Sequence, residues 1–251
     1  MFAYSPPSNL LSSKTILITG AGDGIGRACA KSFAAHGATV ILLSRSQEKL
    51  EKVYDEIEAD YPGKTIIHPL DFRTATSEDF QTLAQSLDEQ FPCLDGLLHN
   101  AAMLGVRSPI EFYPDKDWNE LMQVNVNAAF ALTKVLLPAL SRSADARLLF
   151  TSSSVGRAGR AYWGAYAVSK FAVEGLMQTL AEEVAKTTAI KVNSLNPGGT
   201  RTAMRRDAYP AEDPASQPTP EEIMPVYLYL FGPESASIQG QALDVREFKA
   251  V

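Results

Sequence analysis

Short apolar runs alternate with longer stretches of helical periodicity along almost the whole chain. Thr15–Ile18 is a β-branched, aliphatic run that predicts a buried strand. Thr39–Leu43, Thr65–Pro69, Leu94–His99, Arg147–Thr151 and Ile190–Asn196 repeat that pattern, and Ala242–Val245 closes as a short last strand. Between them, Ile25–Ala35, Gln47–Tyr61, Ser77–Phe91, Trp118–Leu140 and Tyr162–Lys186 place apolar residues at helical spacing. Thr219-Pro220-Glu221-Glu222 combines an N-cap, a proline at the first helical position and a capping-box glutamate, opening a helix through Leu230. Alternation of this kind predicts an α/β fold, one doubly wound parallel sheet of about seven strands flanked by helices. Residues 14–251 read as a single domain behind an N-terminal extension, 1–13. The segment 203–218, rich in Ala, Pro and Asp, interrupts the rhythm and is expected to form a mobile lid over a substrate.

Two of the helices lack a polar face. Trp118–Leu140 and Tyr162–Lys186 are apolar almost all round, so each must bury both sides. One side can pack on the sheet. For the other, a subunit interface is favoured over a covering loop of the same chain, which predicts a homodimer or homotetramer.

Composition removes whole classes of function. With 45% hydrophobic residues in 251, the chain can build a large core, and its net charge of −6 argues against nucleic acid or an anionic membrane as partner. Cys29, Cys93 and the histidines at 36, 68 and 99 are scattered, so no metal site is expected. The N-terminus has no basic start followed by an apolar run, and no stretch reads as membrane-spanning. The expectation is a cytoplasmic protein acting on a small molecule.

The first strand runs into Thr19-Gly20-Ala21-Gly22-Asp23-Gly24-Ile25-Gly26, and a helix follows at once. Strand, glycine turn and helix make the first half of a Rossmann-like nucleotide-binding unit. The glycines admit positive φ and close approach of a ligand, and the helix N-terminus suits a pyrophosphate. The spacing is G-x-x-x-G-x-G, not the commoner G-x-G-x-x-G.

Candidate chemistry lies at Tyr166-Ala-Val-Ser-Lys170, where i and i+4 share one helix face. An ammonium about 5 Å from a phenol is expected to lower its pKa by about two units, from about 10 toward the working range. Thirteen residues earlier, Ser152, Ser153 and Ser154 leave the carboxyl end of the fifth strand, where ligands bind in open parallel sheets. By position alone, any of the three can hold a substrate oxygen.

Together with Asn100-Ala101, Asn125 and Pro197-Gly198-Gly199-Thr200, these motifs resemble the short-chain dehydrogenase/reductase family over about Lys14 to Val245. Segments His99–Ala102, Thr151–Lys170 and Asn196–Met204 are further similar to the bacterial YciK-type oxidoreductases. The resemblance implies hydride transfer between a nicotinamide cofactor and a carbonyl or secondary alcohol. Tyr166 would be the acid/base, with Lys170 lowering its pKa and binding the nicotinamide ribose. It selects Ser153 among the serines, and gives Asn125 the support of a proton-relay water. It places Asp71 and Phe72 near adenine and Asn100, Ala101 and Ala102 beside the cofactor. Pro197, Gly198, Thr200 and Thr202 would lie along the nicotinamide and diphosphate. Ala102 stands where the family often has glycine, and Leu243–Phe248 lacks the usual glycine pair. A nucleotide sensor or scaffold without turnover is the competing reading, disfavoured by the complete set Asn125, Ser153, Tyr166 and Lys170.

The end of the second strand meets the adenosine ribose in such folds. Here it carries Ser44-Arg45, without the acid that would select NAD, and this predicts NADP(H). Asp23 points the other way, toward NAD, unless Arg27 or Arg45 neutralises it. Arg157, Arg160, Arg205 and Arg206 read as solvated surface residues before they read as a site for an anionic substrate.

Overall fold

The computed structural model describes residues 2–250. Its sheet is parallel throughout, with strand order β3-β2-β1-β4-β5-β6-β7. The strands are β1 Thr15–Thr19, β2 Thr39–Ser44, β3 Thr65–Pro69, β4 Gly96–His99, β5 Arg147–Thr151, β6 Lys191–Asn196 and β7 Ala242–Asp244. Alternate residues of one strand serve opposite faces. Ile16 and Ile18 pack with Phe33, Leu50 and Tyr227, under α1 Gly24–Ala35, α2 Gln47–Glu58 and α8 Met224–Phe231. Leu17 between them packs on the other face with Leu83, Leu132 and Met177. That layer is built by α3 Ser77–Gln90, α5 Ala128–Ser141 and α6 Gly164–Val184. Cover on both faces is why the strands read as unbroken apolar runs. The strand order reverses between β1 and β4, and a cleft opens at the carboxyl ends there.

Several boundaries differ from expectation. The predicted helix Trp118–Leu140 starts earlier, as α4 Asp115–Met122, with Asp115 and Asp117 in the favourable first turn. It then widens into a π-helical turn, Gln123–Asn127, before α5. This continuous run, Asp115–Ser141, is long and apolar enough to cross a membrane, against the expectation that no stretch is. Half of its most apolar part is buried, with Leu121, Ala128, Leu132, Leu136 and Leu140 inside the fold. α6 begins at Gly164 because Tyr162 adopts a left-handed backbone, φ 69°. α2 ends at Glu58, whose carboxylate accepts the Gly63 and Lys64 N–H groups that turn the chain away.

The segment 203–218 carries its own structure. Thr202 caps a short helix, α7 Ala203–Ala208; Arg205 pairs with Glu212 at 2.6 Å, and Arg201 Nε donates to the Pro214 carbonyl. The N-terminal extension is docked: Leu11 is fully buried, and Phe2 packs edge-on against Tyr229 and Phe248.

Candidate active site

The cleft, about 720 Å³, is floored at one end by the turn from β1 into α1. Gly20 and Gly24 have positive φ, 67° and 51°. A Cβ at Gly24 would come within 3.2 Å of Thr202 across the cleft, so the bare backbone keeps a groove open in front of the helix N-terminus. Gly22, Asp23 and Ile25 line the same groove. Gly26 serves it from behind, for a Cβ there would collide with the Gly20 carbonyl. Asn100 ties the three central strands together. Its backbone N–H donates to Thr19 Oγ1 at 2.9 Å, its Nδ2 to the Thr19 carbonyl, and its Oδ1 accepts from Thr151 Oγ1.

Ser44 and Arg45 line the far end of the cleft with Asp71 and Phe72. The Asp71 carboxylate is already paired with Arg73 at 2.5 Å, which holds its pKa below the ordinary carboxylate range. Pro197, Gly198, Thr200 and Thr202 form the opposite wall, and Ala101 and Ala102 line the cleft after β4.

At the other end Ser153, Tyr166 and Lys170 come together. The three serines separate by environment. Ser152 is buried and its hydroxyl donates to Glu174 at 2.5 Å; Ser154 is exposed; Ser153 alone is half-buried and faces the cleft with its hydroxyl accepting only a long bond from Val155 N–H. Lys170 Nζ donates to the Thr151 carbonyl at 2.7 Å and lies 5.6 Å from the centre of the Tyr166 ring. Asn125 sits in the π-helical turn with its side chain fully engaged. Oδ1 accepts the Met103 N–H at 2.8 Å, and Nδ2 donates to the Met103 carbonyl and to Ser169 Oγ, each at 3.0 Å. It braces the chain after β4 against α6.

Comparison with known proteins bears directly on this arrangement. The short chain dehydrogenase family profile matches residues 14–213. The uncharacterised oxidoreductase YciK of Escherichia coli K12 is 51% identical over 243 residues, covering 97% of this chain and 96% of that one. A short chain dehydrogenase structure from Shigella flexneri complexed with NADP is 50% identical, TM-score 0.93, covering 96% of this chain and all (100%) of that one. One from Escherichia coli CFT073, complexed with NADPH, is 51% identical with the same TM-score of 0.93 and coverage of 96% and 100%. The chain belongs to the short-chain dehydrogenase family. It is an oxidoreductase of that family.

In this dehydrogenase the electrostatics of the tyrosine differ from the expectation drawn from spacing. Burial pushes the Tyr166 phenol up to about 12, against the opposing effect of the Ser153 hydroxyl. Burial lowers Lys170 to about 8, with Glu174 working the other way. The ammonium donates to the Thr151 carbonyl, and burial of the ring in the cluster with Leu121, Val155 and Trp163 sets the direction of the shift. Tyr166 is therefore protonated across the neutral range. The expected partners of Asp23 also change: Arg27 is held by Glu56 at 2.6 Å, and it is Lys49 that reaches Asp23, also at 2.6 Å. Lys49, Met103 and Leu104 line the cleft and were not expected from the sequence, and Tyr209 joins them from the segment 203–218. Only Lys49 carried a signal, as the cation opening the helix after Ser44-Arg45. Arg157 and Arg205 are paired, with Glu174 and Glu212, and Arg160 donates to the Tyr209 hydroxyl.

Proposed function

We propose that this dehydrogenase interconverts a carbonyl and a secondary alcohol using NADP(H), with Tyr166 as its acid/base. The observation that carries this reading is one cleft with two ends: Ser153, Tyr166 and Lys170 at one, and at the other Ser44-Arg45, where β2 ends on a neutral hydroxyl and a cation in place of an acid. The open backbone between Gly24 and Thr202 fits a diphosphate, and NADP and NADPH occupy relatives of about half-identical sequence.

The cofactor, when bound, supplies or accepts the hydride. Tyr166, kept protonated by burial, gives its proton to the substrate oxygen in the direction of reduction. The Ser153 hydroxyl donates to the same oxygen and stabilises the negative charge growing there. Lys170 keeps a positive charge next to the phenol, so the phenolate left after transfer is stabilised once formed. Asn125 holds Met103 and α6 at the spacing that leaves the three groups facing one space. The substrate end is walled by Met103, Leu104, Trp163, Met204 and Tyr209, which suits a small carbonyl compound with an apolar or aromatic flank. Exposed Phe130, Val168 and Phe171 on α5 and α6 support assembly of subunits through these helices.

The test is to follow nicotinamide absorbance with the purified protein and a panel of aldehydes, ketones and diketones, alongside dissociation constants for NADPH and NADH. Ketone-dependent oxidation of NADPH and tighter binding of NADPH are expected. Tighter binding of NADH would overturn the cofactor assignment. Binding without turnover on every carbonyl would favour a sensor.

A further inference from the structure

Asp23 is a carboxylate at the ribose end of the cleft, where an unpaired negative charge would repel a phosphate. It is not unpaired. Oδ1 accepts the Gly24 N–H at 2.8 Å, capping α1, and Oδ2 lies 2.6 Å from Lys49 Nζ. The pair lowers the Asp23 carboxyl below its ordinary range. Lys49 stands in the first turn of α2, where a cation gains nothing from the helix dipole. Its stem instead crosses the floor of the cleft: a Cβ at Gly22 would be 2.9 Å from Lys49 Cβ and 3.2 Å from Ser44 Oγ. Gly22, Ser44 and Lys49 thus meet at one point, with Arg45 beside them on the cleft wall. Both members of the pair are more than half exposed, 54% for Lys49 and 59% for Asp23, so the ammonium can turn toward a ligand at little cost.

We propose that Lys49 is a second cation for the phosphate on the adenosine 2′-oxygen, acting with Arg45, and that Asp23 is the positioning residue that holds it at the cleft. This rests on the NADP(H) reading above. It changes the meaning of the acid in the glycine turn: Asp23 orients the phosphate's counter-ion and, while Lys49 is present, does not oppose a 2′-phosphate. The ligand chemistry is a phosphomonoester dianion on a ribose.

Titration calorimetry with adenosine 2′,5′-bisphosphate and with AMP tests this without turnover, since neither carries a nicotinamide. Wild type should bind the bisphosphate more tightly than AMP. Lys49→Ala should weaken the bisphosphate by roughly tenfold or more, the effect of one screened charge a few ångströms from a phosphate, and leave AMP within about twofold. Lys49→Arg should restore most of the difference. Asp23→Asn added to Lys49→Ala should recover part of the lost affinity, because it removes the carboxylate left unpaired. Melting curves of all variants verify folding. Equal effects of Lys49→Ala on both ligands, or none, would overturn the role of Lys49 while leaving NADP(H) selection intact. A wild type that binds AMP as tightly as the bisphosphate would overturn the NADP(H) reading itself.

Discussion

His99 makes stability depend on acid in a way that can be worked from its surroundings. It closes β4 immediately before Asn100, with its ring stacked on Phe150 at 4.8 Å and Nε2 2.8 Å from Thr133 Oγ1. Burial lowers its pKa from 6.5 to about 3. Between those values the unfolded chain binds a proton at this ring and the folded chain does not. The contribution of neutral His99 is therefore complete above about pH 6.5, declines by about 1.4 kcal/mol per unit as pH falls, and levels near pH 3. At about pH 4.5 the loss is about 3 kcal/mol, a large share of the stability of an ordinary domain. Urea unfolding of wild type and His99→Gln, followed by circular dichroism near pH 7 and near pH 4.5, isolates this effect. Glutamine keeps a donor and an acceptor for Thr133 and does not titrate. The lowered carboxyls of Asp23, Glu56 and Asp71, and the lowered His68, act alike in both proteins and cancel. The stability advantage of wild type should shrink by about 3 kcal/mol on acidification. Parallel loss in the two proteins would refute a neutral, buried His99.

Tyr166→Phe should abolish turnover and leave NADPH affinity within a few-fold, whereas Ser153→Ala should cost roughly 2–4 kcal/mol of transition-state stabilisation, read as kcat/KM; near-normal activity in Tyr166→Phe would remove it as the acid/base. Ser152→Ala withdraws one donor from the buried Glu174 carboxylate and should lower unfolding free energy by about 1.5–3 kcal/mol. Ser154→Ala, on the exposed side, should stay within about 0.5 kcal/mol in the same urea titration. If Ser154→Ala impairs turnover more than Ser153→Ala, the choice among the serines is wrong. Phe171→Lys on the exposed face of α6 should turn a dimer or tetramer into monomers or insoluble protein, measured by light scattering; a monomeric wild type at micromolar concentration would refute assembly through these helices.

Much of this protein is written in local pattern. Parallel strands buried on both faces need unbroken apolar runs, and Ile16, Leu17 and Ile18 supply one whatever lies beyond them. The glycine turn is legible for the same reason, since positive φ at Gly20 and Gly24 is a property of those residues. Tyr166 and Lys170 share a helix face by spacing alone. What spacing does not contain is the environment that distant segments bring. Three serines in a row are equivalent until α6 brings Glu174 under Ser152 and the cleft opens on Ser153. The Tyr166 pKa follows from burial by Leu121, Val155 and Trp163, contributed by separate segments, so a two-body estimate from Lys170 takes the wrong sign. The π-helical turn at Gln123–Asn127 leaves no mark in apolar periodicity, because it answers to the bonds Asn125 makes with Met103 and Ser169. Asp23 finds its partner 26 residues away in Lys49, not in the nearer Arg27 or Arg45, because β2 returns the chain beside β1 and sets the start of α2 against Gly22. Bonding within a few residues is fixed by residue type; charge, burial and choice among equals depend on which segments the sheet order makes neighbours.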